Sequence, residues 1–443
     1  MVVLLLCSPA IAAEDPVATW LSDANGCKFL APRDDPPPRQ MRWDGTCVDG
    51  YLSGKGTADF GSVTFQGEFS QGLIVSGELT MRNFSYRGEF KKNRPAGHGV
   101  LSFPNGALLE GEFVDSKPVG VVDMTNPDGA RYRGEVNSKG LFMEGKGRLT
   151  LVDGAYYEGD FLRDQFHGKG KYVWPGGASY TGDYAFGRYN GKGILEYSDG
   201  SRYEGEFVAG NRQGQGTYFF ADGSRYVGEY LADKMHGKGR MQLSTGGVEE
   251  GEWRADKLHG QCKIIYANES VYTGQCTSGQ FSGQGRFEDR ATGLVYEGSF
   301  LSGQYHGQGR LSQPGYAYDG SYVAGMRSGH GKEVFENGDQ YEGEFARNLR
   351  HGRGVMRATT LDGAAIVYNG EYKDGVIQGQ GTLEVGAAVF KGEFKGGIFT
   401  RGLVRTTTGR SIEVDTQAQT YLEVRADGTK VPIDPDELTM PGI

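Results

Sequence analysis

Histidines, acids and cysteines are the residues of this chain that could do chemistry, and each set has to be weighed by its spacing. His167, His236, His306 and His351 each open a His-Gly-x-Gly segment and His259 opens one whose last glycine is replaced by Cys262, while His98 and His330 fill the variable slot of the same segment. A catalytic or metal-bound imidazole needs a partner set of its own. These histidines instead recur in one common surrounding, with no cysteine or second histidine at ligand spacing, so they read as structural or solvated. Asp160, Asp183, Glu206, Glu229 and Glu252 form an acidic stripe. The stripe reads as cross-strand pairing with bases rather than as paired carboxylates for acid–base work. It lapses at Gln275, Ser299 and Ser321, which marks residues 272–325 as a hint of a contact surface. Gly140 to Lys146 approaches a phosphate-binding loop, but Gly147 stands where the metal-binding Ser or Thr belongs. No catalytic, cofactor-binding or metal-binding residue is assigned, and no cofactor is expected.

The cysteines say more. Apart from Cys7 there are four, Cys27, Cys47, Cys262 and Cys276. Counting outward from a turn near Glu269 sets Cys262 and Cys276 opposite each other on neighbouring strands, as a disulfide requires. Cys27 and Cys47 are expected to tie the N-terminal segment onto the first repeat. Bridges of this kind belong to an oxidising compartment. The start of the chain agrees: Val2 to Leu6 is apolar and Ala10-Ile11-Ala12 is a small-residue cleavage site. The expectation is a signal peptide over 1–12, cleaved after Ala12, and a periplasmic or secreted protein. The apolar run is short and lacks a preceding base, so the true start codon can lie upstream.

These residues are positioned by a repeat. An aromatic-x-Gly-acidic-aromatic pattern recurs at Tyr157 to Phe161, Tyr180 to Tyr184, Tyr203 to Phe207 and Tyr226 to Tyr230, every 23 residues. Its central glycine continues from Gly67 to Gly392. A fixed period in this range means stacked units that bury their surface against neighbours, with no central core. Within a unit, residues 157–161 alternate ring and charge with the period of a strand. Lys171-Tyr172-Val173-Trp174 alternates again, and turn-forming residues such as Ser198-Asp199-Gly200 close the unit. Each repeat is therefore two short antiparallel strands. Folding the hairpin about Leu162 to Gln165 places Asp160 opposite Lys169, Asp183 opposite Lys192, Glu229 opposite Lys238 and Glu344 opposite Arg353. The same register sets Gly159 opposite Gly170, two bare backbones over which rings can lie.

The unit running from Tyr203 to Gly216, Tyr-x-Gly-x-Phe followed by spaced glycines, resembles the MORN repeat. Fifteen copies can be read from Phe65 to Phe390, with a degenerate one at Trp43 to Cys47. Some depart from the pattern: Leu109 and Glu249 replace the first aromatic, Val136 the second, and Val122 and Leu403 the last glycine. The resemblance implies an all-β, elongated, single-layer antiparallel β-hairpin solenoid, twisted or curved, with short end caps. It also implies assembly through the array, including a homodimer.

The expected organisation is the signal peptide over 1–12, then an N-terminal cap and proline-rich linker over 13–42. The array follows over 43–409, and a cap hairpin with a polar tail over 410–443. Asp15-Pro16 reads as a helix start, Pro36-Pro37-Pro38 as linker, and Tyr421 to Ile433 as a last hairpin turning at Asp427-Gly428. A net charge of −9 speaks against nucleic-acid binding and against broad attraction to anionic membranes. The 74 glycines come without a three-residue period, and 25 tyrosines argue against disorder. The functional expectation is a non-enzymatic, exported scaffold presenting an extended surface to an unknown protein or peptide. The alternative is binding to envelope lipid or cell-wall glycan.

Overall fold

The computed structural model describes residues 19–31, 41–137 and 142–434. The signal segment, Asp15-Pro16, the three prolines, Gly140 and most of the polar tail lie outside these residues. The described chain begins as strand, Thr19–Ser22. All of its regular elements are strands, and they fall into two units, Met1–Ala221 and Asp222–Ile443.

In the first unit Thr19–Ser22 pairs with Lys28–Ala31, and Lys28 meets Tyr51 in parallel. Strand Tyr51–Asp59 also takes Thr46–Val48 and Arg42–Trp43 as antiparallel neighbours. Cys27 is bonded to Cys47 here, with their Cα atoms 5.8 Å apart. From Tyr51–Asp59 the chain runs as an antiparallel meander to Asn211–Phe219, each strand beside the one before it. The second unit repeats the plan from Arg225–Leu231 onward and ends with Thr420–Val424 against Lys430–Pro432.

One repeat shows why these residues fold so. Strand Tyr156–Leu162 turns through Arg163 and Asp164, at φ 49° and 65°, into Gln165–Val173. Two consecutive left-handed residues make the tight hairpin whose twist suits the strands. Near the turn Leu162 faces Gln165, Phe161 faces Phe166 and Asp160 faces His167; beyond it Gly159 faces Gly170 and Tyr157 faces Tyr172. Gly168 and Lys169 are therefore the extra residues of a bulge, and Gly168 adopts φ 55°.

The bulge corrects the charge register drawn from the sequence. Asp160 is not opposite Lys169; its Oδ2 instead accepts the Lys169 backbone N–H at 3.0 Å. Asp183 does the same for the Lys192 N–H (3.1 Å), Glu229 for Lys238 (3.1 Å) and Glu344 for Arg353 (3.0 Å). The acid thus satisfies a donor that the bulge removes from the ladder. The Lys169 side chain pairs with the following strand, its Nζ 2.6 Å from Asp183 Oδ1.

Two further expectations shift. Cys262 faces Gly274 and Cys276 faces Gly260, because the hairpin centres one residue before Glu269. The two cysteines are diagonal neighbours, and they still join, with Cα atoms 6.0 Å apart. At the last repeat Gly402, not position 403, meets Gly392, so Leu403 displaces no glycine.

Candidate interaction surface

Tyr157, Tyr180, Tyr203, Tyr226, Tyr272, Tyr296, Tyr318 and Tyr341 are all less than 2 % exposed. Each ring lies across the facing glycine pair of its own repeat. A Cβ at Gly159 would stand 2.5 Å from the Gly170 Cα and 2.6 Å from the Tyr157 hydroxyl, so only glycine fits. The hydroxyl then donates to a carbonyl three residues on, Tyr157 to Asp160 at 2.9 Å and Tyr341 to Glu344 at 2.9 Å. The second aromatic packs edge-on against the first within the repeat and against its neighbour. Tyr157 meets Phe161 at 5.0 Å and Tyr184 at 5.1 Å, both near perpendicular, and Tyr180 meets Tyr184 and Phe207 likewise. Tyr226 packs against Tyr230 in the same way. The rings that define the repeat form its core and leave little for a partner to touch.

The surface belongs to a second tier. The residue after each tight turn lies flat on the buried tyrosine: Phe166 on Tyr157 (3.9 Å), Tyr189 on Tyr180 (3.8 Å), Phe281 on Tyr272 (3.7 Å) and Tyr305 on Tyr296 (3.7 Å). These caps are half-buried. Beside them in the first unit stand Tyr172 with Trp174 at 4.8 Å, and Tyr218 with Tyr197 and Phe220. In the second unit an open groove of about 740 Å³ is lined by Tyr266, Phe281, Phe287, Phe300 and Tyr305, with Asp289 at its margin.

In the next two repeats the cap is charged. Arg327 lies over Tyr318 and Arg350 over Tyr341. Glu333, 4 % exposed, bridges them: Arg327 Nη1 reaches its Oε2 at 2.8 Å and Arg350 Nε its Oε1 at 2.6 Å. Arg327 also bonds the Tyr316 hydroxyl, and donates to the Asn348 carbonyl at 2.6 Å. Sequence reasoning missed this cluster. Its signal was a charged residue at a position that holds Tyr172, Leu195 or Leu311 elsewhere.

Burial pushes the Tyr296 and Tyr316 hydroxyls up to about 12, so they stay protonated at any physiological pH and serve as donors, not bases. Burial also raises the Glu249 carboxyl, which occupies a first-aromatic position. His98 lies 3.5 Å from Glu110 and His351 3.9 Å from Asp374, while His167 packs edge-on to Phe186. On the opposite face of the sheet, where the acid stripe lapses, Gln284 donates to Ser299 and Gln308 to Ser321, each at 2.8 Å. Among the described residues no three of His, Cys, Asp or Glu converge to hold a metal ion.

A meander of bulged hairpins whose glycine pairs seat tyrosine rings defines an all-β hairpin-repeat scaffold. The MORN repeat profile matches ten segments of it: 86–108, 157–179, 180–202, 203–225, 226–248, 250–271, 296–315, 318–340, 341–360 and 368–384. The chain belongs to the MORN repeat proteins, a non-enzymatic repeat type used as a protein-interaction scaffold. No curated protein matches it in sequence. Among solved structures it is similar to the TCP domain of Drosophila melanogaster SAS-4 bound to a proline-rich motif of Ana2. Identity there is 14 %, covering 36 % of this chain and 85 % of that one, with a TM-score of 0.24. The TCP10 domain of Danio rerio CPAP with a STIL peptide is 12 % identical over 51 % of this chain and 89 % of that one, at a TM-score of 0.23. Staphylococcus aureus virginiamycin B lyase is 12 % identical over 79 % and 88 % of the two chains, at 0.11. Scores this low carry nothing about what this chain binds.

Proposed function

We propose that this protein is an exported, non-catalytic scaffold that presents the second-tier aromatic face of its repeats to a protein or peptide partner. The observation that carries the reading is the division of labour between the rings. The repeat-defining tyrosines are spent on the core, while Phe281, Phe287 and Tyr305 line an open groove. Export is supported by the two joined cysteine pairs. A homodimer is part of the same proposal, since an array offers both its face and its ends. The test is capture from an envelope extract by the mature protein, against a Phe281→Ala/Tyr305→Ala variant of equal melting temperature. A protein retained by the first and lost by the second supports the reading; equal retention overturns it. One observation favours cell-wall glycan as a second reading: the half-exposed Tyr172, Trp174, Tyr197, Tyr218 and Phe220 offer ring faces suited to sugars. Retention on purified cell-wall sacculi that free sugar abolishes selects it.

A further inference from the structure

The interaction reading leaves the partner's chemistry open, and the second unit narrows it. Within this unit Phe281 and Tyr305 line the groove and cap two successive repeats, and the same cap position in the next two repeats holds Arg327 and Arg350. Two strands per repeat at about 4.8 Å give these caps a pitch of roughly 9.6 Å. A segment lying along them in polyproline II conformation presents the same side every third residue, roughly 9.3 Å apart. An extended β-strand presents the same side about every 6.8 Å and falls out of step at once. Over three repeats the polyproline segment drifts by only about 1 Å.

Charge then sets direction. Asp289 lines the groove beside the aromatic caps, whereas the two following repeats carry two guanidiniums that share the single carboxylate of Glu333. The cluster keeps one net positive charge, and Arg327 and Arg350 remain 23 % and 22 % exposed. Arg350 Nη1 has only the Met356 sulfur as a partner, at 3.7 Å, a weak acceptor that a carboxylate would displace.

We infer that the second unit binds a proline-rich segment of a partner protein in polyproline II form. An apolar or prolyl side chain of that segment sits on Phe281 and Tyr305, and acidic residues one and two turns further on meet Arg327 and Arg350. This inference rests on the aromatic face being the interaction surface. Aromatic grooves suit such segments because the helix is already ordered and its prolyl rings stack on flat side chains.

The test uses fluorescein-labelled synthetic peptides, mostly proline, with a tryptophan anchor and aspartates at the third and sixth positions beyond it. Each is made in forward and reversed order, with an asparagine counterpart. Anisotropy titration against the whole mature protein is expected to show one aspartate peptide binding at least tenfold more tightly than its asparagine form. That advantage should disappear in Arg327→Tyr/Glu333→Leu/Arg350→Tyr, which installs the residue types of the preceding repeat. If that variant melts early, Arg350→Gln serves in its place. Equal binding of the aspartate and asparagine peptides, an advantage that survives both variants, or no binding by any peptide overturns the inference. Partner capture that still depends on Phe281 and Tyr305 would leave the interaction reading standing without it; loss of that dependence removes both.

Discussion

At the scale of single residues, a tyrosine at the second aromatic position differs in energy from a phenylalanine there. The first-position tyrosines donate to a backbone carbonyl, but the buried hydroxyls of Tyr184, Tyr322 and Tyr372 have no partner. Phe161, Phe207, Phe300 and Phe345 hold the same position without that cost. Tyr184→Phe, Tyr322→Phe and Tyr372→Phe should therefore each stabilise by about 1 kcal/mol, read as a rise in urea midpoint. Gly170→Ala should do the reverse by about 1–3 kcal/mol, because its Cβ would stand 2.5 Å from the Tyr157 ring. Glu249 gives a pH signature. Burial raises its carboxyl above the ordinary 4.5, so the folded chain holds that proton more tightly than the unfolded one. Its share of stability is full below the unfolded value and is lost as pH rises through the folded one. Glu249→Gln should raise the melting temperature by roughly 2 °C at neutral pH and leave it unchanged at the acid end of the profile.

At the scale of elements, the hairpins of the second unit contain one covalent and one ionic departure from the repeat. The Cys262–Cys276 bridge closes a loop with a sequence separation of 14. Replacing both cysteines by serine should cost about 3 kcal/mol under non-reducing conditions, and reductant should bring the parent to the same midpoint. The Arg327–Glu333–Arg350 cluster behaves differently. Glu333→Ala alone leaves two partly buried guanidiniums without their carboxylate and should cost about 3 kcal/mol. The triple change to the tyrosine, leucine and tyrosine of other repeats should regain most of that, because the charges leave together. A retained cluster that is no more stable than its apolar replacement fits a role in recognition better than one in folding.

At the scale of the molecule, an array answers damage locally. In the second unit each strand pairs with its sequence neighbours, so Phe300→Ala should expose strands Val271–Thr277 to Gln304–Gln313 to hydrogen exchange. Protection at Ala388–Lys395 and Ile398–Arg405 should stay at its parent level. A uniform loss across the unit would mean that it folds as one cooperative body. The proposal of export is checked by N-terminal sequencing of protein recovered from the envelope, where Ala13 is the expected first residue.

The period of glycines and rings determined the repeat, its two strands, its turns and the opposition of Gly159 to Gly170. These follow from local alternation and turn chemistry, which a chain displays without folding. The nearness of Cys262 and Cys276 was legible too, because they lie on the two arms of one hairpin. The charge register was not. A bulge at Gly168 and Lys169 depends on which N–H finds a carboxylate once two strands have met, and no count along one strand reveals it. Nor could composition separate buried rings from surface ones. Tyr157 and Tyr172 are the same residue, and only the stacking of Phe166 on the former and the openness around the latter assign one to the core and one to the face. The tertiary structure alone joined Arg327, Glu333 and Arg350: the first two share strand Met326–Phe335, but Arg350 comes from the following repeat and reaches Glu333 only when the hairpins stack.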